Sequence, residues 1–186
     1  MRFRTATAAS VAVLALMLAG CSGGSNAASS SSAVGGGVKT VVPVDDRKAV
    51  ISLSGTTLEG KALDIASLRG KPVVLNIWGS WCPPCRAEAP HIQAAAAQLA
   101  GKASFVGIDT RDNNGSALAY QRSNKITYPS LVDDGTLLLS LHGAVSAQSP
   151  PVTLVLDAQG RVAGRFLGPV TTLSLVDMVE DVTTSS

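Results

Sequence analysis

Pro72-Val73-Val74-Leu75-Asn76-Ile77-Trp78-Gly79-Ser80-Trp81-Cys82-Pro83-Pro84-Cys85-Arg86-Ala87-Glu88-Ala89 is the stretch on which the fold turns. Its first seven residues are a short run rich in Val, Leu and Ile, the composition of a buried strand. From Pro83 the chain becomes Ala-rich, which predicts a helix from Pro83 to Leu99, stopped by Gly101. The two cysteines therefore stand at a strand-to-helix junction, two residues apart, which is a redox-motif signature. A helix start carries unpaired N–H groups and the positive end of the dipole. A thiol there ionises more readily, and the thiolate is the nucleophile of disulfide exchange. Two intervening residues let the second sulfur reach back and close a disulfide.

A zinc half-site is the competing reading, and it needs a second Cys or His pair. The chain has three cysteines and two histidines. Beyond the motif these are Cys21, His91 and His142, which form no such pair, so no metal and no cofactor is expected. His91 and His142 read as surface residues. A purely structural disulfide is weakly motivated, because closing so short a loop removes little unfolded-chain entropy.

The compartment is read from the start of the chain. Met1-Arg2-Phe3-Arg4 is a short positive segment, and Ala6 to Ala19 is apolar apart from Thr7 and Ser10. That run is short for a membrane span. It ends in Leu18-Ala19-Gly20-Cys21, which resembles the lipobox of bacterial lipoproteins, where the cysteine is lipidated and becomes the first residue after cleavage. An ordinary signal peptide cut near Gly20, or an uncleaved anchor, are the alternatives. Each exports the chain to an oxidising environment. Without Arg2 and Arg4 the 15 basic residues fall to 13, equal to the 13 acidic ones. No basic surplus points to nucleic acid.

Ser22 to about Val38 is rich in Ser, Gly and Ala without an apolar period, the composition of a flexible tether with an extended reach of about 60 Å. The expected organisation is a lipoprotein signal peptide at 1–20, a lipidated Cys21 and tether at 21–44, and one domain at 45–186. Within that domain Val50 to Leu53 and Ala62 to Asp64 suggest a hairpin around Gly55 to Gly60. A helical turn follows at Ile65 to Arg69. After the motif helix come a strand at Ala103 to Asp109, a helix at Gly115 to Ser123, a short strand at Ser130 to Val132 and a helix at Gly135 to His142. Strands at Val152 to Leu156 and Arg161 to Phe166, joined by Asp157-Ala158-Gln159-Gly160, precede a closing helix at Thr172 to Val182. This order gives an α/β layer fold with a mixed sheet.

The segment Leu75 to Pro90 resembles the active-site segment of the TlpA/ResA-type thiol–disulfide oxidoreductases, membrane-tethered members of the thioredoxin superfamily. Pro151-Val152-Thr153-Leu154-Val155-Leu156-Asp157 resembles their second hallmark, and the likeness spans about 45 to 185. It implies a thioredoxin-like fold with a mixed central sheet flanked by helices, an N-terminal β-hairpin and a central helix-containing insert. It also implies a Cys82–Cys85 disulfide, with Cys82 the exposed nucleophile and Cys85 the buried resolving thiol. Glu88, one helical turn beyond Cys85, would transfer the proton; its alternative is a surface Glu held by the helix dipole. Many thioredoxins hold a buried Asp where Asn76 stands, which shifts the proton role toward Glu88. Pro151 would be the cis-proline facing the disulfide, and substrate would dock on Trp81, Pro83, Pro84, Pro150 and Pro151. Trp78 reads as core, and Pro90 as a helix-bending proline. Pro150 departs from the family pattern, since it has no N–H to offer a substrate strand.

Pro83 and Pro84 are tolerated in the first helical turn. They also delete two donors that would stabilise a Cys82 thiolate, so the couple leans toward a reductant. The resemblance implies a lipid-anchored reductase of protein disulfides on the extracytoplasmic face of the cell membrane. Apocytochrome c is the implied substrate, in cytochrome c maturation, and a membrane thiol-transfer protein the implied electron donor. A disulfide-forming oxidase on the same fold, a copper-binding assembly chaperone and a non-catalytic interaction module are the alternatives. Copper chaperones usually space the cysteines by three and add a distal His.

Overall fold

Strand β5 (Val73–Trp78) is buried along its whole length and lies near the middle of the main sheet. Alternation of side chains divides it between two cores. Val73, Leu75 and Ile77 point into one, shared with Ile51, Leu53 and Leu154. Val74 points into the other, under helix α1 (Pro83–Gln98) and helix α4 (Thr172–Thr184). Trp78 follows on the α1 side in a smaller cluster with Cys82, Cys85 and Ala89. Asn76 lies between Val74 and Trp78 in the alternation, so one polar residue of this strand faces α1.

The structure is a computed structural model, and it describes residues 30–34, 36–48, 50–141 and 150–185. The expected signal peptide, Cys21, residues 22–29 and His142 lie outside the described residues. The elements in chain order begin with β1 (Ser30–Val34), β2 (Gly37–Val41) and the hairpin β3 (Ser54–Thr56) and β4 (Ala62–Asp64). After β5 and α1 come β6 (Ser104–Thr110), α2 (Asn114–Ser123), β7 (Ser130–Asp133) and the short α3 (Leu137–Ser140). Strands β8 (Val152–Leu156) and β9 (Val162–Leu167) precede α4. The seven-stranded sheet runs β1-β2-β9-β8-β5-β6-β7, and β3–β4 form a separate two-stranded sheet. Strands β5, β6 and β7 are parallel, while β8, β9, β2 and β1 alternate in direction. This is the thioredoxin-like α/β arrangement, with the N-terminal hairpin and with α2 inserted between β6 and β7.

Three local expectations differ from the structure. Residues 30–34 and 37–41, which lie in the expected 21–44 tether, form strands: β1 pairs with β2 from Ser30↔Val41 to Val34↔Gly37, and β2 with β9 from Val38↔Leu167 to Val41↔Gly164. The sheet therefore begins upstream of residue 45. Val38, Thr40 and Val41 are β-branched residues that suit a strand against an open edge. The hairpin pairs Ser54–Thr56, not Val50 to Leu53, with Ala62–Asp64. Ile51 and Leu53 instead insert into the core, and Val50 makes a single bridge to Arg161. The helix expected from Gly135 begins at Leu137. Gly135 has φ 96°, outside the helical region, and Asp133 and Asp134 take the N–H groups of Gly135 and Thr136.

Candidate active site

The redox pair is built by the end of β5 and the start of α1. After Trp78 the chain turns through Gly79, Ser80 and Trp81, and the Cys82 N–H donates to the Gly79 carbonyl at 3.1 Å. Gly79 is required here, because a β-carbon would lie 2.5 Å from the Trp81 indole nitrogen. Cys82 is the N-cap of α1, and Pro83 and Pro84 fill the first turn. Cys82 and Cys85 are joined by a disulfide with a Cα–Cα distance of 5.3 Å. The Cys85 N–H points at Cys82 Sγ at 3.2 Å. Of the N–H groups that open this helix, residues 83 and 84 have none to offer.

Both cysteines are buried, Cys82 at 2% exposure and Cys85 at 1%. The expectation of an exposed Cys82 is corrected for this oxidised form. Its sulfur is bonded to Cys85 and covered by the loop before β8, lying 3.6 Å from the Pro150 carbonyl oxygen. The Pro150–Pro151 bond is the cis one, and Pro151 is buried. Pro83, Pro84 and Trp81 are exposed around the pair, Trp81 at 43%. Exposed Trp81, Pro83 and Pro84 thus surround the buried sulfurs.

Glu88 is not a surface residue. One turn beyond Cys85, it is 1% exposed. Oε1 accepts from Asn76 Nδ2 at 2.9 Å, and Oε2 accepts the Val170 N–H at 3.1 Å. Asn76 also donates to Thr153 Oγ1 at 3.2 Å, so both amide hydrogens of this strand residue are used. Burial pushes the Glu88 carboxyl up to about 7, while its two hydrogen bonds pull it down less. A carboxyl that titrates near neutrality one helical turn from Cys85 is suited to exchange protons with a thiol.

Trp78 is core, stacked on Tyr120 at 4.5 Å and donating from Nε1 to Ser130 Oγ at 3.3 Å. Tyr120, which carries no sequence signal, donates its hydroxyl to the Cys85 carbonyl at 3.0 Å. Burial, then the neighbouring Glu88, raises the Tyr120 hydroxyl above its usual range and keeps it a neutral donor. Pro90 lies inside an uninterrupted α1, and His91 is exposed with Nδ1 3.3 Å from Thr172 Oγ1.

A second side of the site also escaped the sequence reading. Asp109, at the end of β6, is 2% exposed, and its Oδ1 has no hydrogen-bond partner among the described residues. Burial, then Asp112 and Asp133, pushes it up to about 7. Asp112 Oδ2 accepts the Ser80 N–H at 2.7 Å. The Trp81 indole N–H donates to the Thr110 carbonyl at 3.1 Å, and Arg111 Cζ stands 4.6 Å from the Trp81 ring centroid. An acid closing an apolar strand run, Phe105 to Asp109, is the one signal the sequence offered for this side.

Known proteins place these features in context. The family model described as AhpC/TSA matches residues 47–165. The thiol-disulfide oxidoreductase ResA of Bacillus cereus is 27% identical over 129 residues, covering 69% of this chain and 73% of the relative. The thiol:disulfide interchange protein DsbE homolog of Paracoccus denitrificans is 33% identical over 121 residues, 64% of each chain. Among solved structures, a secreted thiol-disulfide isomerase from Corynebacterium glutamicum superposes with a TM-score of 0.72 at 30% identity, covering 77% of this chain and 90% of its own.

Proposed function

Because this chain belongs to the AhpC/TSA family and is a thiol–disulfide oxidoreductase of the ResA/DsbE type, we propose that it works outside the cytoplasm as a reductase of protein disulfides. In the reduced enzyme the Cys82 thiolate attacks a substrate disulfide. A mixed disulfide forms and one substrate thiolate leaves. Cys85 passes its proton to Glu88 and attacks Cys82 Sγ, which expels the second substrate thiolate. Two electrons have moved to the substrate, and the enzyme is left with its Cys82–Cys85 disulfide. A membrane thiol-transfer protein then reduces it again.

The observation that carries this reading is Glu88. It is buried one turn from the disulfide, fixed by Asn76 and Val170, and holds a proton up to about pH 7. The reducing direction is supported by the missing N–H groups of Pro83 and Pro84. They leave the Cys82 thiolate less stabilised, which favours the disulfide form of the enzyme and hence electron donation. The proposed substrate is the C-x-x-C-H site of apocytochrome c, kept reduced for haem attachment. The proposed location is the extracytoplasmic face of the membrane, held by a lipid on Cys21. Among the described residues no helix is long and apolar enough to cross a membrane.

Trapping tests the roles. Cys85→Ser should accumulate a mixed disulfide through Cys82 with an oxidised C-x-x-C-H peptide, and Cys82→Ser should accumulate none. Equal trapping by both would reject the assignment. A reduction potential toward about −270 mV supports the reductase, and one toward about −120 mV makes the protein an oxidase.

A further inference from the structure

The turn between β6 and α2 grips the redox loop from the side. Asp112 holds the Ser80 N–H at 2.7 Å through Oδ2 and the Asn113 N–H at 2.9 Å through Oδ1. Arg111 precedes it in a left-handed backbone conformation, φ 53°, that residues with a β-carbon seldom adopt. That conformation sets its guanidinium over the Trp81 ring, whose N–H is tied to the Thr110 carbonyl. The two residues immediately before Cys82 are therefore each held by a charged side chain, one negative and one positive. The Cys82 N–H closes the same turn on Gly79.

We propose that Arg111 and Asp112 are positioning residues whose opposite charges tune the reactivity of Cys82, Arg111 favouring its thiolate and Asp112 opposing it. This rests on the reading of Cys82 as the nucleophile. A nearby cation favours an ionised thiol and a nearby anion disfavours it. Stabilising the thiolate stabilises the reduced enzyme and makes the couple more oxidising. Asp112 is thus a brake that keeps the protein a reductant, working with the donor loss at Pro83 and Pro84. Other charged groups lie around this loop. On α1, Arg86 Nη1 donates to the Ser80 carbonyl at 3.5 Å, and Glu88 is turned toward Asn76 and Val170. At the strand ends the charged groups are Asp109 of β6 and Asp133 of β7, whose Oδ2 accepts from Thr110 Oγ1 at 3.1 Å. All four residues are retained in the variants; Asp112→Asn removes one of the charges that hold the Asp109 carboxyl up, so Asp109 ionises more readily and the Cys82 gain is read net of that charge.

The test uses the reduced full chain with Asp112→Asn, Arg111→Gln and the double substitution. Alkylation by iodoacetamide is followed from about pH 5 to 9 by mass analysis of the Cys82 peptide, which scores Cys21 and Cys85 separately. Asp112→Asn should speed Cys82 alkylation near pH 6 by about two- to tenfold and lower its apparent pKa. Arg111→Gln should slow it by a similar factor, and the double variant should return close to the parent. Equilibration with glutathione should move the same way, Asp112→Asn becoming more oxidising and Arg111→Gln more reducing. A turn that only braces the fold would shift both single variants in one direction, with a larger shift and a lower melting temperature in the double. That outcome overturns the proposal, as does an unchanged Cys82 profile in both singles. If Cys85 in the parent alkylates ahead of Cys82, the nucleophile assignment itself fails, and the roles of Arg111 and Asp112 fail with it.

Discussion

Glu88→Gln removes one charge and almost no volume, and its effect can be worked out for both stability and rate. The Glu88 carboxyl titrates at about 7 in the fold instead of 4.5, with burial the main cause. That difference corresponds to about 3 kcal/mol at 1.36 kcal/mol per pH unit. The folded chain binds this proton more tightly than the unfolded chain. Stability therefore falls as pH rises from about 4.5 to about 7, and this group adds no further slope outside that window. Gln cannot ionise, so the variant should lose none of it. Gln has only one acceptor oxygen for the two donors that converge here, Asn76 Nδ2 and the Val170 N–H. Leaving one unpaired costs about 1–3 kcal/mol. The variant should thus be less stable than the parent near pH 5 and equal or better near pH 8. Urea unfolding of the oxidised proteins at the two pH values measures this. Asp109, which titrates in the same window, is present in both proteins and cancels in the comparison. In single-turnover reduction of a model disulfide, the parent rate should rise through about pH 7. The variant should be slower by about tenfold or more near neutrality and recover only toward the free-thiol value near 8.5. Parallel stability slopes together with identical pH–rate profiles would refute the role of Glu88.

Asn76→Ala deletes the hydrogen bond that pulls the Glu88 carboxyl down. The rise in the pH–rate profile should move to higher pH, and an unmoved profile would show that Asn76 does not tune Glu88. Gly107→Ala places a β-carbon 2.6 Å from the Trp78 indole nitrogen. It should cost about 1–3 kcal/mol by denaturant unfolding and perturb the near-ultraviolet signal of the stacked Trp78. Cys21→Ser should release the protein from the membrane fraction or block its processing. A processed variant that still fractionates with membranes would remove the lipid anchor from the proposal.

The cysteine pair was legible because its chemistry is local. A strand run, a two-residue spacing and a helix start lie within one stretch of chain, and so does the Glu88 position one turn further on. Asn76 also stood out in this stretch, at the position where many thioredoxins hold a buried Asp, although its partners did not. What could not be read depends on contacts across the sheet. Thr153 meets Asn76 only because β8 runs antiparallel to β5 in the register Asn76↔Thr153. Tyr120 reaches Cys85 only once α2 folds back over the pair. The grip of Asp112 on Ser80 joins two loops brought together by the parallel pairing of β5 and β6. The burial of Cys82 was misjudged for the same reason, since the loop that covers it arrives from residue 150. Strand β2 is hidden in the sequence because Ser and Gly dominate the composition just before its three β-branched residues, and the edge it pairs with, β9, lies more than a hundred residues away.

The edge strands have a consequence for how the domain stands on a membrane. Ser30 pairs with Val41, Val41 with Gly164, Gly164 with Val155 and Val155 with Val74. The described chain thus enters the sheet at the level where β5 starts, whereas the disulfide lies past the level where β5 ends. The two levels are about 13 Å apart along the strands, with the Gly79–Trp81 turn beyond. If Cys21 carries a lipid as proposed, residues 22–29 span at most roughly 28 Å. The leash would leave from the pole opposite the sulfurs, which lets the disulfide face away from the bilayer. Targets that project from the surface would then meet the disulfide directly. The proposed membrane electron donor would then have to raise its thiols on a protruding segment or catch the domain as it tips over.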